Sequence, residues 1–255
     1  MADNCLLSIK GLNVFYGHRQ VLTDIDLCLK KADFLGIIGP NGAGKTTLFK
    51  AILGVLPYKG DILLDGRPIA GQLDRIGYVP QQVNIARDFP ITVLELCMIG
   101  LLSRRNMAKK FSLQDKVLAK DMLDLCGYND DVNKRFAELS LGQKQRVLIA
   151  RGLMKHPEIL LLDEPTASID VAGEDNVFGL LERLNEKGMT IVMISHDVGV
   201  LSVYVDKIAC LNNTLVYHGS ADSLPQGAIE DTYKCPVDII AHGAPHRVLR
   251  RHEYD

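Results

Sequence analysis

The sequence predicts an α/β fold: a mostly parallel sheet, an antiparallel β subdomain at the N-terminus and a helical subdomain inserted in the middle. Three observations carry this. Short apolar runs bounded by turns fill the first third. Between Phe89 and His156 those runs give way to helical periodicity. Strands then return, with a helical stretch between them, which is the pattern of βαβ crossovers.

Taken in order, Leu6 to Phe15 and Ile25 to Leu29 read as strands, and the apolar Phe34-Leu35-Gly36-Ile37-Ile38 reads as a buried one. A glycine-rich loop follows, then a helix from about Lys45 to Leu53. Ile62 to Gly66 is a strand entering a turn, and Ile76 to Val79 is another strand. Helices are expected over Val93 to Leu102, Leu113 to Cys126 and Leu139 to Met154. Ile159 to Leu162, Thr190 to Ile194 and Ile208 to Leu211 are strands, with a helix over Val171 to Glu186. Asn212-Asn213 turns the chain into a last strand, Thr214 to Tyr217. The expected division is a β subdomain with the first part of the core (1–85), a helical subdomain (86–157), the second part of the core (158–222) and a tail (223–255). Pro225, Pro236 and Pro245 punctuate that tail.

The 255 residues are 47% hydrophobic, enough for a substantial buried core. Lys and Arg number 29 against 31 Asp and Glu, so the chain lacks the basic excess of a nucleic-acid-coating protein, and no nucleic-acid partner is expected. No apolar run approaches the roughly 18 residues of a membrane span; the longest is Leu96 to Leu102. The start, Met1-Ala2-Asp3-Asn4, has neither the basic nor the apolar region of a signal peptide, and a cytoplasmic location is expected. Six cysteines stand singly (Cys5, Cys28, Cys97, Cys126, Cys210, Cys235), so reduced, mostly buried thiols are expected.

Gly39-Pro40-Asn41-Gly42-Ala43-Gly44-Lys45-Thr46 fits G-x-x-x-x-G-K-[ST] directly after a strand and at the start of a helix, which predicts a P-loop NTPase core. Glycines let backbone N–H groups turn toward phosphate oxygens, and the helix N-terminus adds a favourable field for anions. Lys45 is expected to reach the β- and γ-phosphates and the Thr46 hydroxyl to ligate Mg²⁺, with Thr47 beside it in the nucleotide site. The bland alternative, a glycine turn with no ligand, does not account for the flanking strand and helix. Ile159-Leu160-Leu161-Leu162-Asp163-Glu164 buries a strand and ends it in two carboxylates. Asp163 is expected to hold Mg²⁺ and Glu164 to activate the attacking water, because phosphoryl transfer needs both charge neutralisation and a positioned nucleophile. Alone, an apolar run ending in Asp-Glu is common; after a phosphate loop it carries weight.

Leu139-Ser140-Leu141-Gly142-Gln143 opens a further helix. With this segment the chain resembles the ATP-binding cassette (ABC) ATPases, whose signature reads L-S-G-G-Q. Leu141 departs from that pattern where the family has glycine, while Ser140, Gly142 and Gln143 keep it. The resemblance runs from Leu6 to Tyr217 in the family's order. It implies that Tyr16 stacks on adenine and that Gln81 senses Mg²⁺ and the attacking water. It further implies that His196 contacts the γ-phosphate and that Ala167-Ser168-Ile169-Asp170 is a loop through which two subunits communicate. Taken singly, Tyr16 is as readily a packed strand aromatic and His196 a core histidine; the order of the motifs removes that ambiguity. The family's action implies a homodimer in which Ser140, Gly142 and Gln143 of one subunit cover the ATP held by the other. Closing such a dimer would export motion to integral membrane permease subunits served by an extracytoplasmic solute-binding protein. The location implied is therefore peripheral, on the inner face of the cell membrane.

Two competing classes fit less well. A DNA-repair ATPase needs a long coiled coil between the nucleotide motifs, and a ribosomal factor usually has two cassettes; the chain has neither. A GTPase needs an Asn-Lys-x-Asp segment, also missing. Asp88-Phe89-Pro90-Ile91-Thr92-Val93-Leu94-Glu95 and Cys235 to Gly243 resemble subunits of zinc and manganese importers, with iron–siderophore and cobalamin importers as the alternative. Cys235, His242, His246 and His252 in the tail could ligate a metal, but Gly243 and Pro245 disfavour a helix there and three arginines lie nearby, so no metal site is expected.

Overall fold

The computed structural model describes residues 5–83, 85–86, 89–102, 110–167 and 169–233. The four-residue tail set Cys235, His242, His246 and His252 lies outside them, as do Ser168 and Asp88. Among the described residues, ten strands form two sheets. The first is antiparallel, in the order β2 (Arg19–Leu29), β1 (Leu7–Tyr16), β4 (Tyr58–Leu64), β5 (Arg67–Pro68). The second has the order β10 (Thr214–Ser220), β9 (Lys207–Asn212), β3 (Phe34–Ile38), β8 (Thr190–Ile194), β7 (Ile159–Asp163), β6 (Ile76–Val79). It is parallel except for the β9–β10 hairpin at one edge.

The parallel strands are apolar along their length because both faces of that sheet are covered. Their side chains alternate between two cores. Leu35, Ile37, Leu161, Val192 and Ile194 point into the one shared with the antiparallel sheet and α1 (Lys45–Ile52). Phe34, Ile38, Leu160, Leu162 and Met193 point into the other. That second core is closed by α2 (Val93–Met98), α3 (Leu113–Leu125) and α4 (Leu141–Leu153) of the helical subdomain, together with α5 (Val171–Glu186) and α6 (Val198–Tyr204). Phe178 of α5 stacks on Tyr204 of α6 with ring centroids 4.3 Å apart.

Each helix of the inserted subdomain starts with a reciprocal capping box: Thr92 with Glu95, Ser112 with Asp115, and Ser140 with Gln143. The expected helix over Val93 to Leu102 is shorter, ending at Met98 and tightening into a 3₁₀ turn over Ile99–Leu101. The strand expected from Ile25 begins instead at Arg19, because Val14, Phe15 and Tyr16 of β1 pair back onto Leu22, Gln20 and Arg19. Two helices were not foreseen: α6, and α7 (Gln226–Tyr233), which packs on β9 and β10. Both are short, at seven and eight residues, and span too few turns to show a period.

The expectation of reduced cysteines is corrected at one pair. Cys5 and Cys28 form a disulfide with Cα atoms 5.5 Å apart. The pairing Ser8↔Cys28 and Leu7↔Leu29 brings the start of β1 beside the end of β2, so residues separated by 23 positions in sequence become neighbours. Cys97, Cys126 and Cys210 are free and buried, and burial raises each thiol's pKa. Among the described residues no helix is long and apolar enough to cross a membrane.

Candidate nucleotide site

The phosphate loop joins the C-terminal end of β3 to α1. Gly39 has no room for a side chain, since a Cβ there would stand 2.0 Å from the Leu211 carbonyl oxygen. Gly44 adopts φ 98° at the N-cap of α1, and its missing Cβ would meet Leu22 at 2.5 Å. No side chain caps α1, so its first-turn N–H groups are without a side-chain partner. Asn41, Gly42 and Thr46 are exposed and Pro40 half-buried, whereas Ala43 and Thr47 are buried. Lys45 is only 6% exposed, and its ammonium donates to the Gly39 carbonyl at 2.7 Å and the Pro40 carbonyl at 3.1 Å. Burial pulls its pKa below the ordinary lysine value, against the opposing pull of the Glu164 and Asp163 carboxylates.

Asp163 ends β7 and accepts a hydrogen bond from the Thr46 hydroxyl at 3.3 Å. Its pKa is raised, chiefly by burial; the Thr46 hydrogen bond opposes the shift, Glu164 adds to it, and Lys45 and Lys50 oppose it. Glu164 follows at φ 50°, a left-handed conformation uncommon for a non-glycine residue. Its N–H donates to the Ile194 carbonyl at 3.1 Å, tying the end of β7 to β8. One Glu164 oxygen accepts from the Gln81 side-chain amide, and the other meets His196 Nε2. Gln81 follows β6, Glu164 follows β7 and His196 follows β8, so three residues remote in sequence converge at the C-terminal edge of the parallel sheet. The phosphate loop leaves that same edge, where open α/β sheets hold their ligands.

The remaining site residues stand elsewhere. Tyr16 is exposed at the β1–β2 turn. Ser140 caps α4, with Leu141 at its first position and 54% exposed, and a Cβ on Gly142 would meet open space. Gln143 donates to Asp130. Among the described residues, no hydrogen bond of Ser140 or Gln143 reaches the phosphate loop; each stays within the helical subdomain. Ala167 and Ile169 lie in turns that hydrogen-bond to Glu164 and Thr166.

Two contributors were missed by sequence reasoning. Tyr78 of β6 packs edge-on against Phe49 and has its pKa pushed up to about 12 by burial and the nearby Asp163 carboxylate. Asn213, read only as a turn, donates its N–H to the Ala43 carbonyl at 2.9 Å and so props the phosphate loop from the β9–β10 turn. No local pattern marks either residue, because both act across strands.

The family described as ABC transporter matches residues 22–167. The chain belongs to the ABC transporter family. As a cassette of that family it is an ATPase, and its α/β core, antiparallel sheet and helical insertion are those of ABC ATPases. It is 39% identical over 217 residues to the manganese transport system ATP-binding protein MntB of Listeria innocua, covering 85% of this chain and 90% of the relative. It is 33% identical over 218 residues to the zinc transport system ATP-binding protein TroB of Treponema pallidum, covering 85% of this chain and 82% of the relative. Among solved structures, the cassette superposes on a metal-chelate type ABC transporter in an inward-facing conformation with a TM-score of 0.79 at 29% identity, covering 90% of this chain and 89% of that one. A dimeric bacterial ABC transporter cassette matches at 0.72 and 26% identity, over 86% of this chain and all of that one.

Proposed function

We propose that this ATPase drives import of a transition-metal ion, manganese or zinc, through separate integral membrane permease subunits. It works as an ATP-dependent homodimer, peripheral on the cytoplasmic face of the membrane, with an extracytoplasmic solute-binding protein delivering cargo to the permease. The observation that carries the chemistry is the Glu164 carboxylate held between Gln81 and His196, beside Lys45 and Asp163. In this reading Glu164 takes the proton of the attacking water, Gln81 orients that water, and His196 meets the γ-phosphate. Lys45 moves from its loop carbonyls to the β- and γ-phosphates, the loop N–H groups and Thr47 line the phosphates, and Tyr16 stacks on adenine.

The residues fit Mg²⁺. The Thr46 hydroxyl and an Asp163 oxygen lie 3.3 Å apart, and the Gln81 amide oxygen is left over from the bond its nitrogen makes to Glu164. Asp163 is a carboxylate whose charge burial disfavours, so a cation beside it relieves that cost. Bound there, Mg²⁺ supplies charge neutralisation for the phosphate oxygens.

The dimer reading is supported by Ser140 and Gln143, whose described hydrogen bonds stay within the helical subdomain; a second copy would bring them, with Gly142, to the γ-phosphate. The dimeric relative supports this. The cargo rests on curated relatives named for manganese and zinc transport, and the iron–siderophore or cobalamin alternative is not favoured. The test measures uptake of labelled manganese and zinc in native cells carrying wild type or Glu164→Gln. Loss of manganese or zinc uptake is expected. Retained uptake of both metals, with loss of siderophore or cobalamin uptake, would refute the cargo.

A further inference from the structure

Three segments meet at one residue beside the phosphate loop. β2 is an edge strand of the antiparallel sheet, so its outward backbone groups are left for something other than a strand to satisfy. At Leu22 it pairs inward with Val14 of β1, and the backbone groups of Val21 and Thr23 on either side turn outward to the β9–β10 turn. Asn213, in that turn, takes up both. Its carbonyl accepts from the Thr23 N–H at 2.8 Å, and its side-chain amide donates to the Val21 carbonyl at 2.9 Å. Its own N–H donates to the Ala43 carbonyl of the phosphate loop at 2.9 Å. One residue thus grips both the hairpin that carries Tyr16 and the loop that carries Lys45.

Asn213 stands at φ 59°, in the left-handed region that Asn enters more readily than most side chains. The junction is tight: a Cβ on Gly44 would stand 2.5 Å from Leu22 and 3.4 Å from the Val21 carbonyl, so β2 lies against the start of α1. Tyr16 sits at the end of the same hairpin, opposite Arg19. β4 pairs with β1 as far as Val14, and beyond it β1 has β2 as its strand partner, after a register shift between Val14 and Phe15. The aim of Tyr16 therefore depends on how β2 is held from outside the hairpin. Two groups held at a fixed spacing can meet the two ends of one ligand without a further ordering cost on binding.

We propose that Asn213 is a positioning residue of the nucleotide site: it sets the spacing between Tyr16 and the phosphate loop, so that the base and the triphosphate of one ATP are met together. The proposal rests on the reading of Tyr16 as the residue that stacks on adenine, and it is independent of the cargo.

The side chain can be removed without the backbone. Asn213→Gly keeps the N–H, the carbonyl and the left-handed φ and loses the bond to Val21, whereas Asn213→Asp sets a carboxylate against the Val21 carbonyl. The experiment compares full-length wild type, these two variants, Tyr16→Ala and the Tyr16→Ala, Asn213→Gly double variant. It reads equilibrium binding of ATP and of inorganic tripolyphosphate by competition, KM and kcat for ATP, and thermal melting. Loss of one net hydrogen bond predicts about 2- to 10-fold weaker ATP binding in Asn213→Gly, carried by KM rather than kcat, and a larger loss in Asn213→Asp. Tripolyphosphate should bind Asn213→Gly as it binds wild type, because the backbone prop on Ala43 remains. The double variant should bind ATP no more weakly than Tyr16→Ala, since Asn213 acts through the ring that is gone. Wild-type ATP affinity in Asn213→Gly would overturn the proposal, as would an equal loss for tripolyphosphate or additive losses in the double variant. Unchanged ATP affinity in Tyr16→Ala would overturn the stacking reading and the proposal with it; a normal Tyr16→Ala loss with additive effects overturns the proposal alone.

Discussion

Replacing Gly39 by alanine should cripple the site while leaving the core intact. The added Cβ would stand 2.0 Å from the Leu211 carbonyl oxygen, whereas real Cβ contacts below 3.0 Å essentially never occur. That oxygen cannot retreat freely, since Leu211 pairs with Leu215 of β10 and the preceding Cys210 pairs with Ile38 of β3. The loop must therefore move by about 1 Å, taking with it the carbonyl that holds Lys45. Misplacement on that scale costs on the order of 100-fold, which is about 2.7 kcal/mol of transition-state stabilisation. Gly42→Ala is the control. A Cβ there meets nothing within 4 Å, and only the left-handed φ of 82° is penalised, by roughly 1–2 kcal/mol. Steady-state kcat/KM for ATP, with thermal melting of each variant, separates the two. Wild-type kcat/KM in Gly39→Ala, or equal losses in the two variants, would refute the claim that β9 pins the loop.

Glu164→Gln should keep ATP binding and slow hydrolysis by roughly two or more powers of ten, with the trapped dimer visible by light scattering; hydrolysis at the wild-type rate would contradict the role given to Glu164. Lys45→Ala should weaken ATP binding and abolish turnover together, and should also favour protonation of Asp163, since Lys45 is one of the groups that lower its pKa. Fluorescence titration with unchanged ATP affinity would reject this. Leu141→Gly should leave the ATP dimer as strong or stronger, because the Ser140–Gln143 capping box does not use that side chain; a markedly weaker dimer in sedimentation would show that the exposed leucine gains a contact across the interface.

The strands of the parallel sheet and the phosphate loop were legible in sequence because each is dictated locally. A run such as Ile159 to Leu162 is apolar since both faces of its strand are covered, and the glycine spacing of residues 39–44 reports backbone conformation directly. The opposite holds for β2, whose first half was missed because residues 19–24, apart from the buried Leu22, are polar or half-exposed and take their strand geometry from pairing with β1. The same pairing brought Cys5 and Cys28 together against the expectation of free thiols.

Within the site, the sequence by itself determined which chemical groups are present: a lysine after glycines, two carboxylates at a strand end, a serine opening a helix, and a glutamine and a histidine in order. Only the tertiary structure decided which of them meet. The register of β6, β7 and β8 puts Gln81 and His196 on the two oxygens of Glu164, and the β9–β10 turn props Ala43. It also leaves Ser140 and Gln143 bonded within their own subdomain. The physical reason is range. Backbone conformation and burial are encoded in neighbouring residues, whereas a hydrogen bond between residues 83 positions apart exists only once the sheet has set strand order and register.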